Sequence, residues 1–223
     1  MMELIDVTKV YQQGRRTVQA VRGVSLRIDA GEFVSIMGPS GSGKSTLMHL
    51  LGALDTPTTG KALFDGEDLA AMSDRRRSHI RRTRIGFVFQ FFNLLPTLTA
   101  MENVALPLLL GGESRRSARL RAEACLDRVG LSHRGDHFPE ELSGGEMQRV
   151  AVARALVTEP EAILCDEPTG NLDSANARVI LDLLRQLPEA GRRSVVMVTH
   201  APEAAAVGDR IVHIADGLIT SEE

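Results

Sequence analysis

The stretch GPSGSGKST, Gly38 to Thr46, has residue types and spacing that suit phosphate chemistry. It fits G-x-x-x-x-G-K-[ST] and follows GEFVSIMG, a short apolar run that reads as a buried strand. Glycines let backbone N–H groups close around a phosphate, and a helix opening at the lysine adds its partial positive charge. Gly38, Ser40, Gly41, Ser42 and Gly43 are therefore read as the cradle of a nucleotide. Lys44 is expected to reach its β- and γ-phosphates, Ser45 to place a hydroxyl on Mg²⁺, and Thr46 to meet the α-phosphate.

AILCDE supplies a second set of groups. A buried strand ends in Asp166, expected to bind the metal through its water shell. Glu167 comes next, and adjacent strand residues point to opposite faces. One carboxylate then serves Mg²⁺ while the other reaches an attacking water, which separates a hydrolase from a nucleotide binder. Gln90, after IGFVF, joins the metal shell, orients water, or is simply the polar end of a strand. His200, after SVVMVT, falls at a carboxyl edge, where ligands bind in open sheets and a γ-phosphate contact is available. His133 and His137 have a metal-like spacing but no nearby third ligand.

LSGGEMQRVAVARAL, Leu142 to Leu156, reads as a helix capped by Ser143, with Glu146 closing a capping box. Gly144 and Gly145 then sit in its first turn, each costing up to ~1 kcal/mol against Ala. Their bare N–H groups and the Ser143 hydroxyl make an anion site. One nucleotide already cradled by residues 38–46 has little need of another cradle. Ser143 to Glu146 are therefore expected to close on ATP held by a second copy of the chain. Two copies arranged head to tail about a two-fold axis would enclose two ATP molecules.

Strands alternate with helices along the rest of the chain, which argues for an α/β core with parallel strands. ELIDVTKVY (3–11), TVQAVRGVSLRI (17–28), RIGFVFQ (84–90), EAILCDEP (161–168) and RRSVVMVTH (192–200) read as strands. KALFDGEDL reads as a hairpin turning at Asp65-Gly66, and DRIVHIADGLITS as another. A helix is expected from Lys44 to about Leu54, and one with Val179, Ile180, Leu183, Leu184 and Leu187 on a single face. MENVALPLLL, RRSARLRAEACLDRVGL and the stretch after Ser143 are helical in period, so 91–155 reads as a helical lobe inserted between strands.

Composition narrows the classes further. With 223 residues, 43% hydrophobic and 25% charged, the chain is long enough for one globular domain with a lobe. A net charge of −3 gives no electrostatic case for nucleic acid. The basic run Arg75 to Arg84 reads as a solvated helix face, with docking near anionic lipid left open. Cys125 and Cys165 fall in apolar segments and read as buried thiols in a reducing compartment. MMELIDVTKVY lacks the apolar core of a signal peptide, and no run approaches the ~18 residues of a membrane span. Service to a membrane would go through a partner.

GPSGSGKST, LSGGE followed by Gln148 and Arg149, ILCDEP, GNLD (Gly170 to Asp173) and His200, in that order, resemble an ABC-type ATPase over the whole chain. The resemblance implies a single domain 1–223. Its P-loop α/β core of mostly parallel strands and N-terminal antiparallel β-subdomain would lie in 1–90 and 156–223, with a helical signature subdomain in 91–155. It implies Glu167 as catalytic base, His200 as γ-phosphate sensor, Gln90 as the link to the transport partner and Asp173 as a dimer-interface residue. Tyr11, the only tyrosine, matches the aromatic that stacks on adenine. ATP, Mg²⁺, a second copy and a two-subunit transmembrane permease follow as ligands and partners. The expected location is the cytoplasmic side of the inner membrane, held there through that permease.

FNLLPTLTAMENVALP with DEPTGNLD is similar to the subgroup serving lipoprotein release, macrolide export and cell division. Lipoprotein release is the first expectation, because its ATPase is a separate short chain while the macrolide-export ATPase is fused to a membrane segment. Export of the macrolide type and regulation of cell-wall hydrolysis are the alternatives. Repair-type ATPases split their halves with a long coiled coil, whereas Ser143 follows Lys44 by 99 positions here. Phe91 and Phe92, beyond the strand, either pack in the core, as Phe usually does, or at least one of them lines an apolar groove for a short helix of the membrane partner.

Overall fold

The computed structural model describes residues 1–14, 16–189 and 193–223. The chain opens with strands β1 (Met2–Gln13), β2 (Arg16–Ile28) and β3 (Phe33–Met37), then helix α1 (Lys44–Leu51). Strands β4 (Thr59–Phe64) and β5 (Glu67–Asp68), helix α2 (Asp74–Thr83) and strand β6 (Ile85–Phe89) follow. Helices α3 (Ala100–Leu110), α4 (Arg115–Arg128) and α5 (Gly144–Leu156) come next in succession. The chain ends with β7 (Ala162–Asp166), α6 (Ser174–Glu189), β8 (Ser194–Thr199), α7 (Pro202–Ala205), β9 (Arg210–Ala215) and β10 (Leu218–Glu222).

Two sheets result. One is four-stranded and antiparallel, in the order β2-β1-β4-β5. The other has the order β10-β9-β3-β8-β7-β6, with every pair parallel except the terminal β9–β10 hairpin. The central strands carry unbroken apolar runs because both their faces are covered. On β7, Ile163 and Cys165 pack into one core cluster, and Ala162 and Leu164 into the other. On β8, Val195 and Met197 alternate with Val196 and Val198 in the same way. The first cluster lies between this sheet and α3 to α6, and the second joins the sheet to α1 and the antiparallel strands.

The expected hairpins form at Asp65-Gly66 and Asp216-Gly217, with positive φ at all four residues. The first helix stops at Leu51, short of the expected Leu54, because Gly52 ends it and Ala53 turns left-handed at φ 55°. On α6, Ile180, Leu184 and Leu187 are buried, but Val179 is 42% exposed and lies off the apolar face. The strand expected over 192–200 is β8, and Arg192 lies outside the described residues. Cys125 and Cys165 are both buried free thiols. Among the described residues, no helix is long and apolar enough to cross a membrane.

The basic run is only partly a solvated face. It forms α2, where Arg75, Arg76, His79 and Arg82 are exposed. Arg81 donates to Ala53 O at 2.7 Å, and Arg84 joins Glu161 at 2.6 Å and also bonds Asp65. Those two arginines tie α2 to the body of the protein.

Candidate nucleotide site

The turn from β3 to α1 is held open by backbone geometry. Gly43 caps α1 at φ 106°, and a Cβ there would stand 2.5 Å from Ala20 O, so only glycine fits. No side chain caps this helix. Among the described residues, the N–H groups of Gly43, Lys44, Ser45 and Thr46 find no protein acceptor. Four successive donors at a helix start make an anion site. A cleft of about 210 Å³ covers them, lined by Ser40, Gly41, Gly43, Lys44, Ser45 and Glu167 among others. Lys44 is buried, and its ammonium donates to Gly38 O at 2.8 Å and Pro39 O at 2.9 Å.

The carboxylates arrive from β7. Ser45 Oγ donates to Asp166 Oδ1 at 3.2 Å. Burial pushes the Asp166 carboxyl above its usual range, and Glu167 adds to this, while Ser45, His49 and Lys44 oppose it. A hard cation suits such a donor set of hydroxyl and carboxylate oxygens and would relieve the desolvated charge. Ser45 and Asp166 are thus placed to hold Mg²⁺, which when bound supplies charge stabilisation at phosphate oxygens.

Glu167 is not aimed by strand alternation, as expected from the sequence. β7 ends at Asp166, and Glu167 turns left-handed at φ 44°. Its N–H donates to Val198 O at 2.9 Å, and its carbonyl accepts from Gly170 N at 3.0 Å. Such a backbone costs about 1–3 kcal/mol. A single fully buried branched side chain contributes about 1.5–3 kcal/mol, so packing around β7 and β8 holds the turn. The turn brings Glu167 to the loop cleft, where its Oε2 lies 2.8 Å from His200 Nδ1. His200 is 63% exposed.

Gln90 lies beyond the end of β6 against the turn after β7. Its amide nitrogen donates to Asn171 Oδ1 at 3.3 Å, and Asn171 Nδ2 donates to Gln90 O at 3.1 Å. Two residues of α5 hold this segment from the other side. Gln148, fully buried, donates to Pro168 O at 2.5 Å and Phe89 O at 3.3 Å. Arg154 donates to Phe92 O at 2.7 Å and Asn93 O at 2.5 Å. Phe92 and Asn93 are both left-handed, at φ 59° and 51°. Tyr11 stands beside Thr46, and its hydroxyl donates to Asp55 Oδ2 at 2.9 Å. Asp173 caps α6, accepting from Asn176 N at 2.8 Å.

The second glycine-led start forms as a complete capping box. Ser143 Oγ accepts from Glu146 N at 3.3 Å, and Glu146 Oε2 accepts from Ser143 N at 2.9 Å. Arg134 adds an ion pair to Glu146 at 2.9 Å. Gly145 has a packing reason as well: a Cβ there would fall 2.1 Å from Asn176 Oδ1. Residues 143–146 are absent from the lining of the loop cleft. His137 lies 3.1 Å from the Arg134 guanidinium.

An apolar groove of about 450 Å³ runs beside β6, lined by Leu54, Phe87, Phe89, Leu106, Pro107 and Leu110 among others. Its phenylalanines are Phe87 and Phe89, not Phe91 or Phe92. Phe91 is 73% exposed away from the groove lining, and Phe92 faces Gly144 at the start of α5. The left-handed turn at Phe92 and Asn93 redirects the chain there.

The family profile described as ABC transporter matches residues 21–170. The lipoprotein-releasing system ATP-binding protein LolD of Pseudomonas fluorescens is 49% identical over 95% of this chain and 93% of its own length. The macrolide export ATP-binding/permease protein MacB of Syntrophobacter fumaroxidans is 47% identical over 100% of this chain, which spans 31% of that longer protein. Among solved structures, the ATP-binding cassette MJ0796, a dimer in a post-hydrolysis state bound to ADP and Pi, superposes with a TM-score of 0.93. It shares 47% identity, covering 100% of this chain and 98% of that one. The chain belongs to the ABC transporter family, as an ATP-binding subunit that hydrolyses ATP.

Proposed function

We propose that this subunit drives lipoprotein release from the inner membrane by closing, head to tail with a second copy, around two ATP molecules. The observation that carries the dimer is the lining of the loop cleft: it contains Lys44, Ser45 and Glu167 but none of residues 143–146. On this reading the second anion site serves a nucleotide on the partner copy, and the dimeric relative bound to ADP and Pi supports a two-copy assembly. Gly38 to Thr46 hold the phosphates, with Ser45, Asp166 and Gln90 around Mg²⁺. Glu167 takes the proton of the attacking water, and the contact to His200 orients it. His200 also meets the γ-phosphate, Tyr11 the adenine, and Ser143 to Glu146 with Asp173 the opposing copy.

Residues 91–155 act as a helical lobe on a core formed by 1–90 and 156–223. The apolar groove beside β6 receives a short helix of a two-subunit membrane permease. Gln90, Gln148 and Arg154 then connect movement of that helix to the turn after β7. This docking holds the chain at the cytoplasmic face of the inner membrane. Lipoprotein release is favoured by the LolD relative, matched over nearly its whole length. Export of the macrolide type is the second reading, favoured by the MacB relative. Copurification of the tagged chain from detergent-solubilised membranes, with depletion in vivo, separates them. Depletion is expected to strand lipoproteins in the inner membrane, with a two-subunit permease recovered on the tag. Normal lipoprotein sorting, with a macrolide-type exporter recovered, would overturn the lipoprotein reading.

A further inference from the structure

Lys9, Tyr11 and Asp55 form a closed cluster beside the phosphate loop. Lys9 Nζ donates to Asp55 Oδ1 at 2.6 Å and to Thr56 O at 2.8 Å. Asp55 Oδ1 also accepts from Thr56 N at 2.7 Å, and Oδ2 accepts the Tyr11 hydroxyl at 2.9 Å. The Lys9 nitrogen stands 5.0 Å over the centroid of the Tyr11 ring. Burial pushes the Asp55 carboxyl up, but the bonds from Lys9, Thr56 N–H and Tyr11 outweigh it and hold the group below its usual range. Burial and then the Asp55 bond push the Tyr11 phenol up, with Thr46 opposing, so the phenol remains a donor.

An ordinary surface ion pair contributes little, because ordering two long side chains offsets the attraction. This one is only 12% exposed at the Lys9 side chain and 29% at Asp55. It also fixes a third side chain at two points. Lys9 and Tyr11 are two residues apart on β1 and share a face. Lys9 covers one side of the half-buried ring and Asp55 anchors its tip, which fixes the plane of the ring. Thr46, in the first turn of α1, stands beside Tyr11.

We propose that the Lys9–Asp55 pair is a clamp that sets the Tyr11 ring for the purine base. Lys9 and Asp55 are then positioning residues that govern the base-dependent part of nucleotide affinity and leave the phosphate-dependent part alone. The inference rests on Tyr11 being the adenine contact, and the experiment separates the two claims. Calorimetry on the full chain compares ATP with inorganic tripolyphosphate, which has the phosphates but no base. Asp55→Asn, Lys9→Met and Tyr11→Phe are each expected to weaken ATP about three- to tenfold with tripolyphosphate affinity unchanged. In a Tyr11→Ala background, Asp55→Asn is expected to add nothing. Equal weakening of both ligands, or further weakening of ATP in the Tyr11→Ala chain, would overturn the clamp. A Tyr11→Ala chain with normal ATP affinity would overturn the adenine contact itself and the clamp with it. Lys9→Met and Tyr11→Phe carry the test if Asp55→Asn does not fold.

Discussion

Two helices of this protein begin on glycine, and they begin in opposite states. At α1 the cap is Gly43, with no side chain to satisfy the first turn, and four N–H groups are left to a ligand. At α5 the cap is Ser143, whose hydroxyl and amide are both engaged by Glu146, itself held by Arg134. The first start has no side-chain cap and offers its N–H groups to a phosphate. The second is completed by its own side chains, and among the described residues the N–H groups of Gly144 and Gly145 find no protein acceptor. On the proposed function, the start that binds nucleotide within one copy is left open, whereas the start that engages only on closure is pre-ordered. The Ser143 hydroxyl donates to Glu146 Oε2 at 2.8 Å, so it has to leave that carboxylate to reach a nucleotide.

The largest effect should come from the open start. Lys44→Ala removes the one buried cation of the loop while keeping a good helix former at that position. ATP hydrolysis is expected to fall at least about 100-fold, with ATP affinity sharply reduced and little change in melting temperature. Steady-state rates, calorimetry and thermal melts check this together. Near-normal turnover would mean that α1 does not hold the triphosphate.

The capped start should behave differently. Ser143→Arg is expected to leave ATP binding to the single chain intact and to stop hydrolysis. Loss of the cap costs about 1 kcal/mol, or roughly 2–4 °C for a chain of this size. Mixing Ser143→Arg with Lys44→Ala sharpens the contrast. Only the mixed dimer pairs an intact loop from one copy with an intact Ser143 from the other. ATP-dependent dimers and some hydrolysis should therefore return in the mixture, read by sizing chromatography and phosphate release. A mixture that forms no such dimers at any protein concentration argues that the two starts do not meet across copies.

Both starts were legible before the fold because each depends on residues a few positions apart: the loop by its glycine and lysine spacing, the cap by Ser143 and Glu146. The buried strands were legible for a similar reason, since β7 and β8 read as unbroken apolar runs. What stayed hidden depends on long-range neighbours. Gln148 looks like any polar helix residue until it is seen to donate to Phe89 O at the end of β6 and to Pro168 O in the turn after β7. Asp55 lies 44 positions from Tyr11, and no local pattern pairs them. Glu167, Phe92 and Asn93 adopt left-handed backbone without glycine, which propensity disfavours, so the sequence could show neither the turn that aims Glu167 nor the one that carries Phe91 and Phe92 away from the groove beside β6. Val179 fits the helical period yet falls at the edge of the buried stripe, where the neighbouring layer does not cover it.

The smallest effect should distinguish the two starts by pH. Hydrogen bonds from the Ser143 N–H and hydroxyl, with Arg134 adding to them against a smaller burial penalty, hold the Glu146 carboxyl at about 2, below its ordinary 4.5. A carboxylate with a depressed value stabilises the fold in its charged form. That contribution is complete above about pH 4.5 and is lost as pH falls towards 2. Glu146→Gln keeps an acceptor at the third helical position, so the cap survives in part and only the charge is lost. The melting gap between the native chain and Glu146→Gln is therefore expected to be a few degrees, constant above about pH 5, and to narrow as the buffer is acidified. Thermal melts between neutral pH and the lowest pH at which the protein stays folded measure it. A gap that widens on acidification would mean that Glu146 is not held as a charged cap, and the contrast between a self-satisfied α5 and an open α1 would lose its electrostatic half.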